Sequence, residues 1–237
     1  MAESDAEKMM RVRLLDIIPL AKSSKKEAFD NKNGIARVGG RWRTPCYFSA
    51  YIRAAEVLIK GAKDNNQLDE LGLPIFYLQR HALELCIKEV LTDLYEEFDC
   101  RVEESDRRDK AKVKPISTGQ KDRLKREHKL GLLCKDLEKI CTNLKCEFDT
   151  KSLEALVSQI ETCEVSRPAM ARYSKSSAGE KHLPEEVSIP IAAIQEDLEK
   201  VANKMRLLQG DMRIYTCLQR RAQEELSDSE RISLGLS

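Results

Sequence analysis

Apolar residues recur along this chain at intervals of three and four, the repeat of helices that each bury one face. After Thr44-Pro45, residues Tyr47, Tyr51, Ala54, Ala55, Leu58 and Ile59 form one stripe, and Gly61 with the polar run 63–66 predicts its end. A second helix is expected over 73–98, with Pro74 in its first turn, where a missing N–H is harmless. Its face is Ile75, Leu78, Ala82, Leu85, Cys86, Val90, Tyr95 and Phe98, yet Phe76, Leu83, Ile87 and Leu91 lie off that stripe. A helix apolar over much of its circumference is central in a fold or also faces a second subunit.

The pattern stops over 99–127, where both charge signs are dense and Pro115 and Gly119 oppose a helix, so a long charged connector is expected. A third helix over 129–144 uses Leu130, Leu133, Leu137, Ile140, Cys141 and Leu144. A fourth, over 152–163, uses Leu153, Leu156, Val157 and Ile160, with Asp149 or Thr150 as its cap. Residues 164–190, with prolines at 168, 184 and 190, read as irregular. A long last helix is expected over 191–226, through Ile191, Ile194, Leu198, Val201, Met205, Leu208, Met212, Tyr215 and Leu218, with a weak point at Gly210. The fold class is therefore all-α, an up-and-down helical bundle. It divides into an N-terminal arm over 1–45, a bundle over 46–226 containing the connector, and a flexible tail over 227–237. Within the arm, Asn33-Gly34 and Gly39-Gly40 are turn signals, a short amphipathic piece covers 9–18, and Trp42 is expected to anchor the arm.

Composition agrees with helices and removes some function classes. Of 237 residues 34% are charged and 5% aromatic, and glycine and proline number only 10 and 7. Forty-one Lys and Arg against 40 Asp and Glu leave a net charge of +1, so any nucleic-acid site must be a local patch. The apolar stretch 14–20 is broken by Asp16 and Pro19, so neither a signal peptide nor a membrane span is expected, and a cytoplasmic location follows. The eight cysteines form no CxxC pair. Cys86, Cys134, Cys141 and Cys217 sit where small apolar residues would, so reduced thiols are expected and no metal or cofactor is implied.

Three segments could carry chemistry. In LPIFYLQRHALELCIKEVL, Arg80, Glu84 and Lys88 recur every four residues beside His81, and Glu84 can pair with both neighbours. That spacing suits either a solvated ion-pair ladder or a polar stripe facing a cleft. In RLKREHKLGLL, Arg123 precedes His128 by five positions. Histidine can move a proton and arginine can steady charge on phosphorus, so this pair suits phosphodiester cleavage without metal. Lys121, Lys125, Arg126 and Lys129 surround the pair and, with Lys88, could hold RNA phosphates. In RPAMARYSKSSAGEKH, Arg172 before the Gly179 turn is either an anion-binding side chain or a solvated loop residue.

Taken together, RHALEL followed by Lys88, then His128-Lys129-Leu130, then Ala171-Arg172-Tyr173 before a long helix, resemble the HEPN proteins (higher eukaryotes and prokaryotes nucleotide-binding), over roughly residues 70–205. The resemblance is closest to prokaryotic and phage-defence-associated members. It implies a helical bundle that pairs into a homodimer with a groove between the copies. Active members are metal-independent endoribonucleases with an Arg-x4-6-His motif, and act as toxins or antiviral effectors, often beside a co-encoded antitoxin. Others only bind nucleotides or proteins. The resemblance makes His128 the general acid/base, Arg123 or Arg80 the phosphate-stabilising group, and Glu84 the residue that orients them. His81 is a further candidate. The chain departs from active members in having Leu124 after the arginine and in placing Arg123 in a charged connector. The rival reading is a non-catalytic helical subunit that partners another defence or toxin–antitoxin protein. A DNA-binding regulator is disfavoured, because no helix-turn-helix with a basic recognition helix is present.

Overall fold

The computed structural model describes residues 28–30, 32–36, 46–107, 115–164, 170, 171, 179, 181, 183 and 185–210, with the backbone alone over 103–107. The chain divides into two units, 1–46 and 47–237. In the first, Asn33-Gly34 makes the expected turn: Gly34 adopts φ 63, a left-handed conformation that glycine enters without a Cβ clash. The Asn33 side-chain amide donates to the Phe29 carbonyl at 2.8 Å. The expected piece over 9–18, Gly39-Gly40 and Trp42 lie outside the described residues.

The second unit is a helical bundle, and the described residues contain no strand pairing into a sheet. Helix α1 spans Tyr47–Asp64 and buries Phe48, Ile52, Ala55, Ile59 and Ala62. Its stripe is thus rotated from the expected one: Tyr47 is exposed and Phe48 fills the core. Both stripes share Ala55 and Ile59, and the face with no hydroxyl to solvate is the one that turns inward. The chain leaves α1 through Asn66, at φ 54, and enters α2 at once.

Helix α2 spans Leu68–Arg107, longer at both ends than the apolar pattern suggested. Asp69 and Glu70 in its first turn suit the positive helix end and extend it beyond the apolar stripe. Pro74 therefore lies inside the helix, where it withholds the N–H that the Glu70 carbonyl would accept. Phe76, Leu83, Ile87 and Leu91 are fully buried along with Ile75, Ala82, Cys86 and Val90, so α2 is the central helix.

The connector expected over 99–127 is helical for much of its described length. Helix α2 continues into it, and α3 occupies Thr118–Arg126. Pro115 precedes α3 and Gly119 sits in its first turn, where neither breaks it. Ser117 and Gln120 instead form a capping box, with the Ser117 hydroxyl accepting from the Gln120 amide at 3.3 Å. Helices α4, Leu130–Leu144, and α5, Thr150–Cys163, bury the expected stripes, and the Asp149 side chain caps α5. Helix α6 covers 191–210, with Ile191, Ile194, Leu198, Val201, Met205 and Leu208 buried; Met212, Tyr215, Leu218 and Cys217 lie outside the described residues.

Named contacts fix the direction of each helix against α2. Lys121 on α3 meets Asp99, and the Lys125 carbonyl meets Lys88, so α3 runs back along α2. Helix α4 then runs forward with α2, from the His128 carbonyl at Arg80 to the Leu144 carbonyl at Arg101. Helix α5 returns, so that Glu164 reaches Arg80, and α6 goes forward again from Gln79 to Asp93. The bundle is up-and-down throughout. A buried polar seam joins α6 to α2 and α1: the Gln79 Nε2 donates to Ile191 and Gln195, and Gln195 donates to the Ile52 carbonyl. The Gln79 Oε1 is buried without a partner among the described residues.

Candidate functional site

The alternation brings the end of α3, the start of α4 and the end of α5 to the same stretch of α2, Arg80 to Lys88. Arg80 is 9% exposed, Glu84 4% and Glu164 5%, so three ionised groups lie inside protein. Burial of this kind is tolerated only where the charges are paired and hydrogen-bonded. Arg80 Nε donates to Glu164 Oε1 at 2.5 Å, one terminal nitrogen donates to Glu84 Oε2 at 2.8 Å, and the other to the His128 carbonyl at 2.8 Å. The fork-shaped guanidinium thereby ties α2, α5 and the α3–α4 junction together, which a lysine could not do.

Glu84 Oε1 faces the other way. It accepts from Lys88 Nζ at 3.0 Å and from His128 Nδ1 at 2.8 Å. Burial alone would raise the Glu84 carboxyl, but the donors on Lys88, His128 and Arg80 outweigh it and hold the group below the usual carboxylate range. Burial likewise opposes the charge on Arg80, while Glu164 and Glu84 overcome it and push the guanidinium higher. An ionised carboxylate only accepts, so Nδ1 of His128 carries the hydrogen. The Nε2 of neutral His128 is then the free base, and it has no partner among the described residues. Although Glu84 is buried, the His128 side chain is 70% exposed. The result is an imidazole oriented from behind by a buried carboxylate and open in front.

The remaining sequence candidates are placed as follows. Lys88 joins the network and also approaches the Lys125 carbonyl at 3.4 Å, so the spacing of four along α2 is an inward-facing stripe rather than a solvated ladder. His81 is close to this stretch but engages aromatic rings, stacked on Tyr77 and edge-on to Tyr51. Arg123 is not brought to His128. Its guanidinium binds Asp136 on α4, at the level of Tyr95, roughly three turns along α2 from Glu84. Lys121 pairs with Asp99, the Lys125 ammonium with Asp122, and Arg126 donates to the Asp122 carbonyl. Lys129 is the exposed N-cap of α4 and its side chain makes no capping bond. Arg172 lies outside the described residues. Among the described residues no three His, Cys, Asp or Glu gather as a metal site.

Glu164 is the participant that sequence reasoning missed. It follows α5 directly, and its only local mark is a carboxylate at a helix C-terminus, where negative charge is unfavourable and needs a partner. No family model, curated protein or solved structure matches the chain.

Proposed function

We propose that the chain is a metal-independent endoribonuclease of HEPN type, acting as a toxin or antiviral effector, with the His128–Glu84 pair as its proton-transfer device. One observation carries this reading: an exposed imidazole whose Nδ1–H is held by a buried, ionised carboxylate. A general base is most useful when its tautomer and orientation are fixed before substrate arrives. Here Nε2 takes the proton from a ribose 2′-hydroxyl as that oxygen bonds to phosphorus. The 5′-oxygen leaves and is protonated by a second imidazole, from the other copy of a homodimer. A 2′,3′-cyclic phosphate and a 5′-hydroxyl result. Lys88 donates to the same Glu84 oxygen as His128, which sets an ammonium beside the imidazole. Arg80 has its Nε and both terminal nitrogens engaged, so its part is positioning.

The assay is cleavage of RNA by purified protein in EDTA. His128→Ala is expected to lower the rate about 100-fold or more, the usual worth of acid–base catalysis. Arg123→Ala is expected to cost far less than Lys88→Met, because Arg123 is turned to Asp136. Undiminished cleavage by His128→Ala removes the assignment.

A second reading, a non-catalytic subunit that binds a co-encoded partner, draws on Arg80, whose Nε and both terminal nitrogens are engaged within the protein as in an internal brace. A stable complex with such a partner, formed without any RNA cleavage, favours it.

A further inference from the structure

A cavity of about 410 Å³ lies between α2, α3 and α4, away from the His128–Glu84 pair. Ile116, Ile140 and Tyr95 line it together with the charged Arg123, Asp136 and Lys139. Its size falls within the range of small-molecule sites.

Tyr95 supplies the decisive observation. The residue is only 5% exposed and lines the cavity; its hydroxyl makes no hydrogen bond among the described residues and is not one of the fully buried polar atoms, so it is open to the cavity. A hydroxyl in that position is met by water until a ligand group replaces it. The hydroxyl is near enough to Asp136 and Arg123 to feel both charges. Burial, and then Asp136, push it above the ordinary tyrosine value, so at neutral pH it is a donor. The charge around it is positive on balance. Asp136 is taken up by Arg123, whereas Lys139 has no ion-pair partner among the described residues. The first turn of α3, which opens onto the cavity at Gly119, contains no acidic residue. A Cβ added at Gly119 would meet only the Ser117 hydroxyl, at 3.9 Å, so the cavity is open on that side.

We propose that this cavity binds a small organic anion, a phosphate monoester or a carboxylate with an apolar body, its head held by Lys139 and the Tyr95 hydroxyl and its body lying on Ile116 and Ile140. The site is independent of the ribonuclease reading, since none of these residues touches His128 or Glu84. Phenyl phosphate and phenylacetate, with phenol as the neutral control, would be titrated into the full chain by calorimetry at low salt. At least one anion is expected to bind at least tenfold more tightly than phenol. Tyr95→Phe removes one oxygen and leaves the ring, so the fold is retained; it and Lys139→Gln should each weaken the anion about tenfold, near the energy of one charge-assisted hydrogen bond. If phosphate and carboxylate differ, the tighter one names the head group. No anion binding beyond that of phenol, or binding unchanged in both variants, overturns the proposal.

Discussion

Arg80 shows how much one side chain can carry. With its head on Glu84, Glu164 and the His128 carbonyl, its truncation takes the guanidinium away from two buried carboxylates. Breaking a buried ion pair from one side costs several kcal/mol, so Arg80→Ala is expected to lower unfolding free energy by about 3 kcal/mol in urea titrations. A loss below about 1 kcal/mol would mean that water reaches the carboxylates and the pair acts as a surface one. Glu84 makes the same network sensitive to acid. Its folded carboxyl titrates below the ordinary value of 4.5, so as the pH drops the unfolded chain takes up the proton first. Its stabilising contribution is complete above that value and is lost as the pH falls through the folded one. Glu84→Gln should therefore flatten the fall in urea midpoint below about pH 4.5, and an unchanged slope would refute the linkage. The spacing of Arg80, Glu84 and Lys88 was legible because helix geometry alone stacks residues four apart. Glu164 was not, because it meets Arg80 from 84 positions away and only the return of α5 brings it there.

At the scale of elements, α3 is the informative case. It buries only Leu124, so the apolar periodicity that reveals α1, α2, α4, α5 and α6 is absent from it. What holds it is polar: the Ser117–Gln120 capping box within it and the Lys121–Asp99 ion pair to α2. Ser-x-x-Gln is a readable start signal, but it is normally followed by an apolar run, and here a charged one follows. Because packing contributes so little, Ser117→Ala is expected to destabilise α3 by about 1 kcal/mol. Hydrogen exchange should show faster exchange over 118–126 with α4 unchanged. Equal loosening of α4 would mean that α3 is part of the core rather than laid upon it. The same reasoning explains α2, whose reach beyond 73–98 comes from first-turn carboxylates and charged residues that a search for buried stripes passes over.

For the whole bundle, the question is whether the helices open one at a time. Helix α2 packs on α1, α3 and α4, is bonded to α6 through Gln79 and Asp93, and meets the end of α5 through Arg80 and Glu164, so the unit is expected to unfold cooperatively. The buried thiols report on this from separate places: Cys86 on α2, Cys134 and Cys141 on α4, and Cys163 on α5. Burial pushes Cys134 up to about 11 and Cys141 up to about 12, and raises Cys163 as well, so in the folded chain these are protonated and poor nucleophiles. Pulsed maleimide labelling across a urea series, read residue by residue, should leave all four unlabelled before the main transition and label them together through it. Cys163 is the least buried of the four, at the end of α5 next to Glu164, the partner of Arg80. Early labelling there alone would show that α5 detaches first, and that the ionic network at its end, rather than the shared core, sets the weakest point of the bundle.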